Sequence, residues 1–152
     1  MARLVLLDSG PLGLACSRPG IPLVDQCDAW LVALESAGVD ILIPSVCDFE
    51  VRRELVRIRA SSKIRNLDKL RNRFDYLDVS KAAWDGAARF WALVRQAGLP
   101  TAGHAELDAD AILAGMADTI SQPGDTVTIA TNNVRHFARF PGIDARPWPT
   151  IT

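Results

Sequence analysis

Arg3-Leu4-Val5-Leu6-Leu7-Asp8-Ser9-Gly10-Pro11 is a short apolar run stopped by four residues that favour turns. A run of this length with such a boundary predicts a buried strand that ends at a carboxylate. The pattern recurs along the chain. Val39-Asp40-Ile41-Leu42-Ile43, closed by Pro44, predicts a second strand, Tyr76 to Val79 a third, Thr126-Val127-Thr128-Ile129-Ala130 a fourth, and Ile143 to Arg146 a short last one before the Pro-Trp-Pro tail.

Helical patterns fill the intervals. Leu23, Val24, Cys27, Trp30, Leu31 and Leu34 recur at helical spacing between Pro22 and Gly38, with Gly38 placed to end the helix. Ser45 is a candidate N-cap for a helix carrying Val46, Phe49, Val51, Leu55 and Ile58, and Ser61-Ser62 reads as its interruption. A second basic helix runs from about Lys63 to Phe74. Ser80 can cap a helix through Trp84, Ala88, Trp91 and Val94 to Gly98. Pro100 to His104 reads as a loop, and Asp108 as the N-cap of a helix from Ala109 to Ile120. Trp30, Trp84 and Trp91 read as core, and Trp148 as a C-terminal anchor. Strands separated by helices of this length indicate an α/β protein with a mainly parallel sheet, because parallel strands need long crossovers.

Composition agrees with a folded chain. The 152 residues are 49% hydrophobic and 23% charged, a size that predicts one domain over 1–152 and a core that needs no staple. The longest apolar runs are far short of a membrane span, and the N-terminus lacks a signal-peptide pattern. Cys16, Cys27 and Cys47 are an odd number without a C-x-x-C pair, so buried thiols in a reducing cytoplasm are expected. Nine of the 17 basic residues, Arg52, Arg53, Arg57, Arg59, Lys63, Arg65, Lys69, Arg71 and Arg73, lie between positions 51 and 73, accompanied only by Glu54 and Asp68. Such a cluster suits an anionic partner such as nucleic acid; a solvated helical face explains the charge equally well.

In open α/β sheets the ligand site forms outside the carboxyl ends of the strands where strand order reverses, which draws notice to Asp8 and to Thr131-Asn132-Asn133. Glu50 and Asp110 stand in the first turns of helices and can converge there. Oxygen ligands without a His or Cys cluster suit Mg²⁺ or Mn²⁺. Each residue has a plainer use: Asp8 as a turn cap, Glu50 as a surface helix former, His136 packed beside Phe137 and Phe140 rather than on phosphate. Asp108 and Asp110 are two apart and point to different sides of a helix, which makes Asp108 the cap and Asp110 the candidate ligand; a register one turn off would exchange them. The stretch His104-x-Glu106-x-Asp108 is a weak metal pattern. No G-x-x-x-x-G-K-[ST], G-x-G-x-x-G or G-x-S-x-G occurs, and Asp8-Ser9-Gly10 lacks the second Asp of an aspartyl-phosphate phosphatase.

Four segments together resemble the PIN domain family of metal-dependent ribonucleases, including VapC-type toxins. They are Leu6-Leu7-Asp8-Ser9-Gly10-Pro11-Leu12, Ile43-Pro44-Ser45-Val46-Cys47-Asp48-Phe49-Glu50-Val51, Asp108-Ala109-Asp110-Ala111-Ile112-Leu113-Ala114-Gly115-Met116-Ala117, and Thr128-Ile129-Ala130-Thr131-Asn132-Asn133-Val134-Arg135-His136-Phe137. The resemblance implies a three-layer α/β/α sandwich around a mainly parallel sheet of four to five strands, with Mg²⁺ or Mn²⁺ at the site. It implies cleavage of single-stranded RNA by metal-activated water. Carried over, Asp8, Glu50 and Asp110 become metal ligands and catalytic residues together with Asn133, supported by Thr131, Ser9 and Asp108. Asn133 stands where a fourth Asp is common, and its neutral carbonyl binds a cation more weakly. A homodimer and a small antitoxin partner are further implications. RNA contact is assigned to Arg52, Arg53, Arg57 and Arg135. The competing expectation is a PIN-like module that binds nucleic acid with little or no catalysis.

Overall fold

The computed structural model describes residues 1–98 and 104–152, with the side chains of 104 and 105 left aside. Five strands, β1 (Arg3–Leu7), β2 (Asp40–Pro44), β3 (Asp75–Leu77), β4 (Thr126–Thr131) and β5 (Ala145–Pro147), form one sheet in the order β3-β2-β1-β4-β5. Every pairing is parallel, with Val5 opposite both Ile41 and Thr128. Among the described residues seven α-helices flank it: α1 (Ser9–Ala15), α2 (Pro22–Ser36), α3 (Ser45–Arg57), α4 (Ser61–Arg73), α5 (Lys81–Gln96), α6 (His104–Ile120) and α7 (Val134–Phe137). The fold class is the α/β arrangement that the strand and helix pattern indicates. The order reverses between β1 and β4, so their carboxyl ends are the crevice where α/β sheets bind ligands.

The central strands are buried because their ends alone are polar: Val5, Leu6 and Leu7 on β1 and Ile41, Leu42 and Ile43 on β2 all lie in the core. Gly38 ends α2 with a φ of 76°, and Val39 N–H returns to Leu34 O at 3.0 Å, which satisfies a carbonyl that the helix end leaves open. Trp148 is buried against Trp30, ring centroids 5.3 Å apart, while Trp30 Nε1 donates to Ile151 O at 2.8 Å. The Pro-Trp-Pro tail is thus tied down as an anchor.

Several local expectations are corrected. Asp8 caps a helix, α1, where a turn was expected; Pro11 in its first turn has no N–H to lose. β2 runs through Pro44, which becomes the N-cap of α3, so Ser45 is its first helical residue and makes no capping bond. The break after α3 falls at Ile58 to Ala60, where Arg59 takes a φ of 58° and Ala60 N–H reaches Leu55 O at 2.9 Å; Ser61 and Ser62 open α4. Helix α6 begins at His104, so Asp108 lies inside it and caps nothing. Glu106 and Leu107 are good helix formers, and they carry the helix upstream of the acid. Of the loop expected over Pro100 to His104, positions 100–103 lie outside the described residues. The buried stripe of α5 is Ala83, Gly86, Ala87, Phe90 and Val94, which leaves Trp84 and Trp91 one position off it and 52% and 37% exposed.

Candidate metal centre

Asp8 leaves the sheet at the end of β1 with its backbone N–H still bonded to Ala130 O of β4 at 3.0 Å. Its carboxylate is buried. Oδ1 accepts from the Ser9 backbone N–H at 2.8 Å, and Oδ2 accepts from Thr131 Oγ1 at 2.6 Å. Thr131 itself is fully buried at the end of β4, and its hydroxyl oxygen accepts the Asn133 backbone N–H at 2.9 Å. The last turns of the two central strands therefore hold Asp8 in one orientation. Ser9 contributes its backbone, and Asn133 stands exposed before α7 with its side chain free of protein hydrogen bonds among the described residues.

Glu50 reaches the same place from the second turn of α3. One turn earlier on that helix is Cys47, and the ligand atoms of Asp8, Cys47 and Glu50 all lie within 4.8 Å of one another. Cys47 has no Cys or His near it in the chain, which conceals it in the sequence, and its three-residue spacing to Glu50 is the signal that places both on one face of α3. Cys47 Sγ lies 3.8 Å from Asp8 Oδ1. Burial first, then the Asp8 and Glu50 charges, push its thiol well above the ordinary range.

Asp110 comes from α6 and is half-buried. Its Oδ2 accepts from Arg139 Nη2 at 3.0 Å and lies 3.1 Å from His136 Nδ1. Arg139 also donates through Nε to His136 O at 2.7 Å, so one guanidinium ties α6 to the turn around α7. Sequence reasoning missed Arg139; its position three residues after His136, in the turn that follows α7, is the hint the sequence offers.

The electrostatics show crowded negative charge. Glu50 is pushed from 4.5 up to about 7, by burial first, then by Asp8, with Arg53 opposing and Asp110 adding. Asp110 rises from 3.8 to about 6, by burial, with Asp8 raising it and His136 and Arg139 lowering it. Carboxylates brought together in this way hold their charge more easily beside a cation. The donor set of carboxylate oxygens fits a hard divalent ion such as Mg²⁺ or Mn²⁺.

The remaining predicted residues divide. Asp108 is exposed on the other side of α6, as a separation of two residues demands, and borders an apolar groove with Phe49, Trp84 and Ile112. Glu50 and Arg53 line the same groove, whose volume is about 460 Å³. Arg53 lies over the Phe49 ring at 5.4 Å. Arg135 is exposed. Arg52 and Arg57 are already committed, Arg52 to Asp48 at 3.1 Å and Asp68 at 2.9 Å, Arg57 to Glu54. The weak metal pattern around His104 depends on a side chain outside the described residues.

No protein-family model matches the chain, and no curated protein does. Solved structures do match. The chain superposes on VapBC2 from Rickettsia felis, bound to a DNA fragment from their promoter, with a TM-score of 0.71 at 18% identity over 94% of this chain and 97% of that one. FitAcB from Neisseria gonorrhoeae gives 0.69 at 18% over 97% and 99%, and DNA-bound VapBC from Salmonella typhimurium 0.62 at 21% over 97% and 99%. The chain has a PIN-domain fold. At these identities the likeness is one of fold, and the acidic crevice at β1 and β4 is built from this chain's own residues. Among the described residues no helix is long and apolar enough to cross a membrane.

Proposed function

We propose that this PIN-fold chain is a metal-dependent endoribonuclease that cleaves single-stranded RNA, acting as the toxin of a toxin–antitoxin pair in the cytoplasm. The observation that carries the reading is the cluster at the carboxyl edge of the sheet, where ligand atoms of Asp8 and Glu50 lie within 4.8 Å of each other beside Cys47, with Asp110 near enough to add to the rise of Glu50 to about 7. Asp8, Glu50 and Asp110 would hold Mg²⁺ or Mn²⁺, which supplies polarisation of a phosphodiester and a lowered pKa for an attacking water.

The chain's own residues have separable parts. Thr131 and the Ser9 N–H fix Asp8 so that it spends no entropy on binding. Arg139 and His136 orient Asp110. Asn133 stands at the mouth with a neutral amide that can contact substrate, and the exposed cations Arg53 and Arg135 are the RNA contacts this geometry favours over Arg52 and Arg57. The groove of Phe49, Trp84 and Ile112 opens beside Glu50, and an apolar antitoxin segment laid in it would cover the acids. Structures similar in fold are complexes named VapBC and FitAcB, which supports a partner of this kind. A homodimer is the expected assembly.

The test is cleavage of a mixed single-stranded RNA pool with Mn²⁺, Mg²⁺ or EDTA, beside Asp8→Asn prepared identically. Cleavage that needs metal and disappears in Asp8→Asn is the expected result. Binding of labelled RNA without cleavage in either metal would replace the nuclease with a nucleic-acid-binding module.

A further inference from the structure

A carboxylate has about four lone-pair positions, two on each oxygen, and this centre has already used many of them. Asp8 Oδ1 faces two donors, the Ser9 N–H at 2.8 Å and the Cys47 thiol at 3.8 Å, and its Oδ2 faces Thr131 Oγ1 at 2.6 Å. Asp110 Oδ2 faces two nitrogens, Arg139 Nη2 at 3.0 Å and His136 Nδ1 at 3.1 Å. Glu50 alone accepts no side-chain hydrogen bond from the described residues. What remains is one direction on Asp8 Oδ2, Asp110 Oδ1, and both oxygens of Glu50.

Two divalent ions about 3.5–4 Å apart are normally joined by carboxylates that give an oxygen to each. Asp8 and Asp110 lack the free oxygens for that, which leaves Glu50 as the one carboxylate of the three with an oxygen to give to each of two ions, and on the side of α7 the residue that opens the helix, Asn133, is a neutral amide rather than a further carboxylate. The same side carries a permanent positive charge. The Arg139 side chain is 13% exposed, fastened at Nη2 to Asp110 and at Nε to His136 O, with its guanidinium 5.4 Å from the Phe140 ring centroid. A guanidinium held at three points by its surroundings is a fixed charge rather than a mobile surface cation.

We infer that the centre takes a single divalent cation, held by Asp8 and Glu50 with Asp110 as third carboxylate, and that the Arg139 guanidinium occupies the place of a second ion. The inference rests on the metal-site reading above. It makes Arg139 the residue that sets the metal count, and through Asp110 it is a positioning residue for the bound ion.

The experiment counts Mn²⁺ on the intact chain by calorimetric titration, with electron paramagnetic resonance on the same samples, for wild type, Arg139→Lys, Arg139→Gln and Asp8→Asn. Circular dichroism melts confirm that each variant is folded, and ions still bound to Asp8→Asn are subtracted as surface binding. Wild type and Arg139→Lys are expected to bind one Mn²⁺ per chain with the spectrum of an isolated ion. Arg139→Gln removes one of the two nitrogens on Asp110 Oδ2, leaving His136 Nδ1, and deletes the permanent charge, so it is expected to admit a second, weaker Mn²⁺ within about ten times the concentration that saturates the first. Two ions or a spin-coupled pair on wild type would overturn the inference, as would a count that stays at one in folded Arg139→Gln. No specific Mn²⁺ on wild type would instead overturn the metal-site reading itself, and the single-ion inference with it.

Discussion

Glu50 gives the centre a pH dependence whose sign can be worked out. Its carboxyl rises from 4.5 to about 7 on folding, so between those values the folded chain holds a proton that the unfolded chain has lost. Stability from this group is present at low pH and falls as pH rises through the window. In metal-free protein the melting temperature of wild type should therefore drop relative to Glu50→Gln between pH 5 and pH 8, and Mn²⁺ should close the gap by binding the ionised native state. Equal slopes in the two proteins would show that Glu50 is not crowded as described. Asp48 is a different kind of buried acid. It lies 2% exposed between Arg52 and Arg71, and Tyr76 Oη donates to its Oδ2 at 3.4 Å. Asp48→Ala leaves Arg71 without its acid and Arg52 with Asp68 alone, and because both cations reach solvent the loss should be about 1–3 kcal/mol, to be read as a shifted urea midpoint.

Helices α5 and α6 approach closely because glycines face each other. A Cβ on Gly115 would meet the Ala83 carbonyl oxygen and come within 2.7 Å of Ala87 N, both backbone atoms that cannot step aside. A Cβ on Gly13 of α1 would meet nothing within 4 Å. Gly115→Ala should therefore lower stability by about 1–3 kcal/mol through overpacking, whereas Gly13→Ala should gain up to ~1 kcal/mol from reduced chain entropy. Thermal melts of the two variants separate the effects. The packing bears on the site as well, since α6 carries Asp110 and a shift of that helix moves the carboxylate from Arg139.

Across the whole molecule a net charge of −1 conceals a division between cations that are spent and cations that are open. Arg52, Arg71 and Arg73 pair with Asp48, Asp68 and Glu35, and Arg57 with Glu54, so much of the basic run between 51 and 73 is internal bookkeeping. Arg53 and Arg135 are exposed and unpaired by carboxylates among the described residues. If they meet RNA phosphates, replacing either with Ala should lower the slope of log K against log salt by about 0.7, while Arg57→Ala leaves it nearly unchanged. Fluorescence anisotropy with Asp8→Asn as the non-cleaving background measures this directly.

The residue pattern by itself determined the parallel α/β class, the places of the five strands to within about two residues, and the candidacy of Asp8, Glu50, Asp110 and Thr131, because each of these follows from local periodicity and from what may end a strand. It also set Asp108 and Asp110 on different sides of their helix, since positions two apart cannot share a direction, while which of them faces the acids was left open. Only the tertiary structure decided which distant groups meet. That Cys47 lies against Asp8, that Arg139 reaches Asp110 across 29 residues, and that Arg71 of α4 closes on Asp48 of α3 depend on how the helices pack on the sheet and on each other. The same reason exposes Trp84 and Trp91: their spacing is helical, but the buried stripe is chosen by the neighbour that α5 packs against, and periodicity alone is the same for every rotation of a helix about its axis.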